Sequence, residues 1–216
     1  MPRPGKKQVI QTLLDNYGQT FVEQVGIPVH KNTPAPLFQL LYISLLFSAR
    51  IPADNAAEAT RALIKAKLTT PEKMAEATWQ ERVDVITWHG YKRYDERTST
   101  MLGEAAQLCI DKYRGDLRNL RNAAGRQVDK EQKLLTEFKG IGNVGADIFL
   151  REVQQVWEEV YPYADQRVLK AAKQLQLGSS AKELSKLVPR RQFSSLVAAL
   201  LRVDLKKSYD EVRKAA

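Results

Sequence analysis

The residues of this 216-residue chain whose types and spacing point to chemistry lie between Phe138 and Asp165. Phe138-Lys139-Gly140-Ile141-Gly142-Asn143-Val144-Gly145 sets glycines between two helical patterns, and Tyr161-Pro162-Tyr163-Ala164-Asp165 leads into a third. Backbone N–H groups at the start of a helix have no intrahelical partner, and the helix dipole adds partial positive charge there. Glycines without Cβ atoms let a phosphate come close to those amides. Gly-x-Gly between helices serves equally well as a plain tight turn. Asp165 stands at a helix start, where the commonest job of an aspartate is the N-cap. The same dipole favours its ionised form, so it is also a candidate fixed carboxylate.

A helix is needed on each side of the glycines. Asp129 is a good N-cap and Gln132 completes a capping box, which predicts a helix from Asp129 to Phe138. Gly140-Ile141-Gly142 stops it, because glycine accepts the left-handed backbone of a helix end at no steric cost. A second helix starts at Asn143, with Val144, Ile148, Val153 and Trp157 as its apolar positions. Upstream, Val9, Leu13, Leu14 and Tyr17 make a helical stripe, Thr20 to Val25 adds a short turn, and Pro28 to Pro36 reads as a loop crossing between domains. Pro36 to Arg50 is the most apolar helix and a buried one. Asp54 caps a helix reaching Ala66, Thr70-Pro71-Glu72 starts another, and Glu81 to Thr87 follows. Trp88-His89-Gly90-Tyr91-Lys92-Arg93-Tyr94 is a glycine turn dense in aromatics and cations; it opens a long helix to about Tyr113. Gly115 to Arg126 reads as an arginine-rich polar connection. Beyond Asp165, helices run to about Leu175, from Ser180 to Leu187, from Pro189 to Val203 and from Ser208 onward. No segment has the strand period, so the chain is all-α.

Composition narrows the partners. The net charge of +9 favours a polyanion. The excess is concentrated from Gln166 to Ala216, where twelve Lys and Arg face four Asp and Glu. A solvated basic surface without a partner is the plainer reading of charge alone. The lone cysteine, Cys109, excludes an internal disulfide and suits a reducing compartment. One Cys and two His cannot build a zinc site or a four-cysteine iron–sulfur cluster, so no metal and no cofactor is expected. The first residues lack the apolar core of a signal peptide, and the longest apolar run, Leu37 to Ala49, is too short to span a bilayer. A cytoplasmic, nucleoid-associated place, if the source is prokaryotic, is the expectation, with no membrane partner.

Phe138 to Ala146, read as Phe-Lys-Gly-Ile-Gly-Asn-Val-Gly-Ala, resembles the hairpin of the helix-hairpin-helix DNA glycosylases of the endonuclease III type. Ala164-Asp165-Gln166-Arg167-Val168-Leu169 resembles the segment that carries the catalytic aspartate of that superfamily, and the likeness extends to Phe38–Arg50 and Trp88–Arg97. The resemblance implies two helical domains flanking a cleft. One spans residues 34–157, with the helix-hairpin-helix at 129–157; the other joins residues 1–33 to 158–216. It implies a DNA repair role, with double-stranded DNA carrying a damaged base as the partner, bound by a monomer. The reaction implied is hydrolysis of the N-glycosidic bond of a flipped base, with Asp165 stabilising the developing oxocarbenium ion. The alternative is a non-catalytic DNA-binding protein that kept the fold.

Residue by residue, the resemblance gives DNA contacts to Lys139, Gly140, Ile141, Gly142, Asn143, Val144 and Gly145. It puts Arg50 where the family has a glutamine that fills the hole left by the extruded base, and Lys92 and Arg93 near phosphate. Bifunctional members carry a lysine in the second hairpin helix that forms a Schiff base and drives strand cleavage. Val144 stands at that position, so water is the expected nucleophile and lyase activity is not expected. The missing cluster and lysine also resemble the 3-methyladenine glycosylases of the same superfamily. If Asp165 is only a cap and a catalyst, asparagine there should keep stability within about 1 kcal/mol.

Overall fold

The computed structural model describes residues 5–49, 51–87 and 95–215. Arg50, Lys92 and Arg93, with the rest of the aromatic turn at 88–94, lie outside the described residues. The described chain is helical throughout and contains no strand. In order the helices are α1 Lys6–Tyr17, α2 Phe21–Val25, α3 Pro34–Ser48, α4 Ala53–Lys65, α5 Pro71–Glu76, α6 Trp79–Thr87 and α7 Asp95–Tyr113. They continue as α8 Leu117–Ala123, α9 Val128–Leu135, α10 Asn143–Val153, α11 Gln166–Gln174, α12 Ala181–Leu184, α13 Arg190–Lys206 and α14 Tyr209–Ala215. No helix among the described residues is long and apolar enough to cross a membrane.

Many helix starts follow local chemistry. Thr20 caps α2 with Glu23 reaching back, Thr70 caps α5 ahead of Pro71, and Ser180 caps α12. Three expectations are corrected. Asp129 is not a cap: α9 starts at Val128 behind Gln127, so Asp129 falls in its first turn and Gln132 is left for a tertiary contact. Asp54 likewise lies inside the first turn of α4, behind Pro52. The arginine-rich connection is itself a helix, α8, capped by Asp116, because Leu117 and Leu120 are fully buried and hold its inner face against the core.

Two apolar cores organise these helices. The larger draws on residues between Val22 and Val160, with α3 at its centre; Leu37, Leu40, Ile43 and Leu46 on that helix are wholly buried. The smaller combines α1 and Phe21 with α11 to α14. Phe47, at the end of α3, packs against both, and its ring meets Phe21 edge-on at 5.1 Å between centroids. Arg202 of α13 covers the same Phe21 ring at 4.7 Å and donates to Gln19 O and Gln24 Oε1, joining the smaller core to α2.

Buried carboxyls couple this packing to pH. Burial, with the adjacent Glu159 carboxylate, pushes Glu131 of α9 up to about 8, while Arg121 holds Glu159 down at about 2. Burial pushes Glu152 of α10 up to about 7, although its Oε1 accepts from Phe21 N–H. The unfolded chain releases both protons near the ordinary 4.5, whereas the folded chain keeps them to about 7 and 8, so stability falls as pH rises through that interval. Burial beside Glu159 favours the neutral acid of Glu131 in the folded chain, and glutamine keeps the shape of that acid. Glu131→Gln is expected to lose less stability than the parent as pH rises from 4.5 to 8, because the amide has no proton to release. Denaturant titrations of the two proteins across this range measure it; parallel stability curves contradict it.

Candidate active site and nucleic-acid interface

The hairpin is built by different means at its two inner glycines. After α9 the chain turns, Ile141 N–H donates to Phe138 O at 2.9 Å, and Ile141 is buried, pinning the loop to the core. Gly140 has φ +92°, and a Cβ there would sit 2.5 Å from Met101 Sδ and 3.3 Å from Leu45 Cδ1. Gly140 is therefore demanded by the fold. Gly142 is the N-cap of α10 at an ordinary φ of −94°, and a Cβ on it would meet nothing within 4 Å. Its open face adjoins the free amides that begin α10. Gly145 belongs to packing: a Cβ there would come within 3.3 Å of Ser44 O on α3 and 3.1 Å of Ile141. Asn143 is exposed, and Lys139 points to α7, where it pairs with Glu104 at 2.8 Å.

Below the hairpin a cavity of about 320 Å³ opens between the two cores. Its walls include Phe21 and Phe47, Val144, Asp147 and Arg151 of α10, Asp165 and Arg167, and Leu201 and Leu205 of α13. Val144, read from sequence as an apolar position of this helix, is 62% exposed and lines this space. Residues 144, 147, 148 and 151 share one face of α10 because they recur at helical spacing.

Asp165 is the N-cap of α11, as its sequence context predicts. Arg167 N–H and Val168 N–H donate to its Oδ1 at 2.8 and 3.1 Å. Its other oxygen is taken as well: Arg151 forms an ion pair with Oδ2, and both side chains are buried, at 7% exposure for Asp165 and 8% for Arg151. The Arg167 side chain in turn pairs with Asp204 of α13 at 2.6 Å. Burial alone would raise the Asp204 pKa, but hydrogen bonds from Arg167, Lys207 and Tyr209 hold it well below the usual carboxylate range.

A second carboxylate faces the same cavity. Asp147 Oδ1 accepts from the Tyr163 hydroxyl at 2.5 Å and from Gln132 Nε2 at 3.1 Å. Burial raises its pKa above the ordinary aspartate value; the Tyr163 hydrogen bond opposes the rise, the charge of Asp165 adds to it, and Arg151 opposes it. Gln154 fixes the segment carrying Tyr163 by accepting from Tyr163 N–H at 2.8 Å and donating to Tyr163 O at 3.2 Å. Arg151, Asp147 and Tyr163 were not singled out as site residues from sequence, and Gln132 was read there only as part of a capping box. The only local signal for the first two is polar residues three and seven positions after Val144 in an otherwise apolar helix. Among the described residues no group of three or more His, Cys, Asp or Glu is placed to hold a metal ion.

No family model matches the chain, and no curated protein matches it. Solved structures similar to it include two of endonuclease III with DNA. A non-covalent complex of endonuclease III with DNA shares 19% identity over 93% of this chain and 86% of that one, with a TM-score of 0.50. A trapped covalent intermediate of endonuclease III and DNA, the estranged-adenine complex, matches at 19% identity and the same coverage, 93% and 86%, with a TM-score of 0.49. The likeness to the non-covalent complex is one of fold: this chain has the all-helical architecture of an endonuclease III-like protein.

Proposed function

We propose that the chain is a monofunctional DNA glycosylase that hydrolyses the N-glycosidic bond of a damaged base flipped out of duplex DNA, with Asp165 as the catalytic carboxylate. The observation that carries this reading is the pairing of Asp165 and Val144 on one cavity under the hairpin: the carboxylate is there, and an apolar side chain stands where an amine would act. The fold shared with a DNA-bound endonuclease III supports duplex DNA as the partner. Phosphates would meet the open side of Gly142 and the first amides of α10, flanked by Lys139 and Asn143, with Arg50, Lys92 and Arg93 as further contacts read from the sequence. As the base leaves, its ring nitrogen takes the bonding electrons and the sugar becomes cationic; a fixed carboxylate stabilises that charge and water closes the reaction.

The Arg151–Asp165 ion pair favours a second reading, a DNA-binding protein without catalysis, because a carboxylate with both oxygens engaged lends less negative charge to a cation. One experiment separates them. The protein is incubated with duplexes that each carry one uracil, hypoxanthine, thymine glycol or ring-methylated adenine, and base release is scored separately from strand nicking. Excision that leaves intact abasic sites, with no covalent adduct after borohydride, is the expected result. An adduct lost in Lys139→Ala would make that lysine a nucleophile, and duplex binding with no base release on any lesion would establish the second reading.

A further inference from the structure

We propose that Asp147 is the general base of the reaction, taking the proton of the water that attacks the sugar, while Asp165 is confined to electrostatic and positioning work. This role rests on the excision reading above. It comes from how the two carboxylates of the cavity are occupied. Asp165 spends Oδ1 on two backbone amides and Oδ2 on Arg151, so three of its roughly four acceptor sites are already filled. Asp147 accepts hydrogen bonds at Oδ1 from Tyr163 and Gln132, and among the described residues none donates to Oδ2. Two donors from different elements hold the group in one orientation and leave one oxygen available in the same cavity. Asp147 also lies one helical turn beyond Val144, so a water can occupy the space that the short valine leaves above it.

The charged and titratable groups around Asp147 are Tyr163 and Asp165 from the segment before α11 and Arg151 from its own helix. Burial and the Asp165 charge favour its protonated form, so its basicity at neutral pH exceeds that of an exposed aspartate. The step balances. The C1′–N bond breaks with its electron pair going to the base, water oxygen forms the C1′–O bond, and the water proton moves to Asp147 Oδ2. The departing base is protonated from solvent, and Asp147 returns its proton there.

Single-turnover excision against pH tests the assignment on whichever duplex of the panel the parent cleaves. The parent rate is expected to rise with pH to a plateau. Asp147→Asn, which keeps the size of the side chain, is expected to be about a hundredfold slower at the plateau and to lose the rising limb, the usual scale for a general base. Tyr163→Phe removes the hydrogen bond that lowers the Asp147 pKa, so its rising limb is expected at higher pH. This second variant keeps the proposal testable should Asp147→Asn fail to fold. Parent-like rates and pH profile in Asp147→Asn, or an unmoved limb in Tyr163→Phe, overturn the base role while leaving the excision reading intact. A parent that excises none of the lesions overturns both.

Discussion

Asp165→Asn is expected to lower excision about a hundredfold or more and to cost about 3 kcal/mol of stability, the two losses having separate causes. The rate falls because the charge that faces the sugar cation is removed, and one preorganised electrostatic group is worth that much in a dry site. The cap survives, since asparagine accepts from Arg167 N–H and Val168 N–H nearly as well. On the cap alone the stability change would stay within about 1 kcal/mol, as the sequence suggests. The buried Arg151 guanidinium revises that figure: losing its partner strands a charge at 8% exposure. Arg151→Met added to Asp165→Asn is expected to recover most of the stability and none of the rate, because a buried ion pair is often replaced by apolar groups at little cost. DNA affinity in Asp165→Asn is expected to equal or slightly exceed that of the parent. Thermal melting, duplex binding and single-turnover excision on the three proteins measure all of this; full excision by Asp165→Asn reduces Asp165 to a cap.

Gly142→Val is expected to weaken duplex binding tenfold or more in a protein that melts like its parent. Among the described residues nothing lies within 4 Å of a Cβ added there, and the φ of −94° suits any residue, so the added side chain is expected to obstruct an incoming phosphate. Gly140→Ala is expected to behave oppositely. At φ +92° a side chain is strained by about 1–3 kcal/mol, and Met101 and Leu45 must give way besides. Its melting temperature falls, while the folded fraction still binds. Binding titrations at several salt concentrations accompany both variants, because contacts to phosphate lose affinity steeply with salt. Unchanged binding in a folded Gly142→Val protein would remove the hairpin from the DNA interface.

The contrast between those two glycines shows where local reading ends. Gly140 and Gly142 look alike in sequence, each a glycine beside Ile141. What separates them is Leu45 on α3 and Met101 on α7, which close over one and leave the other open. Val144 makes the same point. Its helical spacing with Ile148 makes it an apolar position of the helix, yet α10 turns that face toward the cavity between the two cores.

By itself the sequence determined the all-helical class, the start of α10 behind Gly142 and the cap at Asp165, because each depends on a few adjacent residues: an apolar period, a glycine, a side-chain oxygen near free amides. Only the tertiary structure decided what Asp165 and Asp147 are bonded to. Arg151 reaches Asp165 across the end of α10, Tyr163 folds back onto Asp147, and Gln132 arrives from α9 instead of closing its own cap. Such pairs form when cores close and buried charges must find partners, a requirement imposed by desolvation in three dimensions that no local pattern carries.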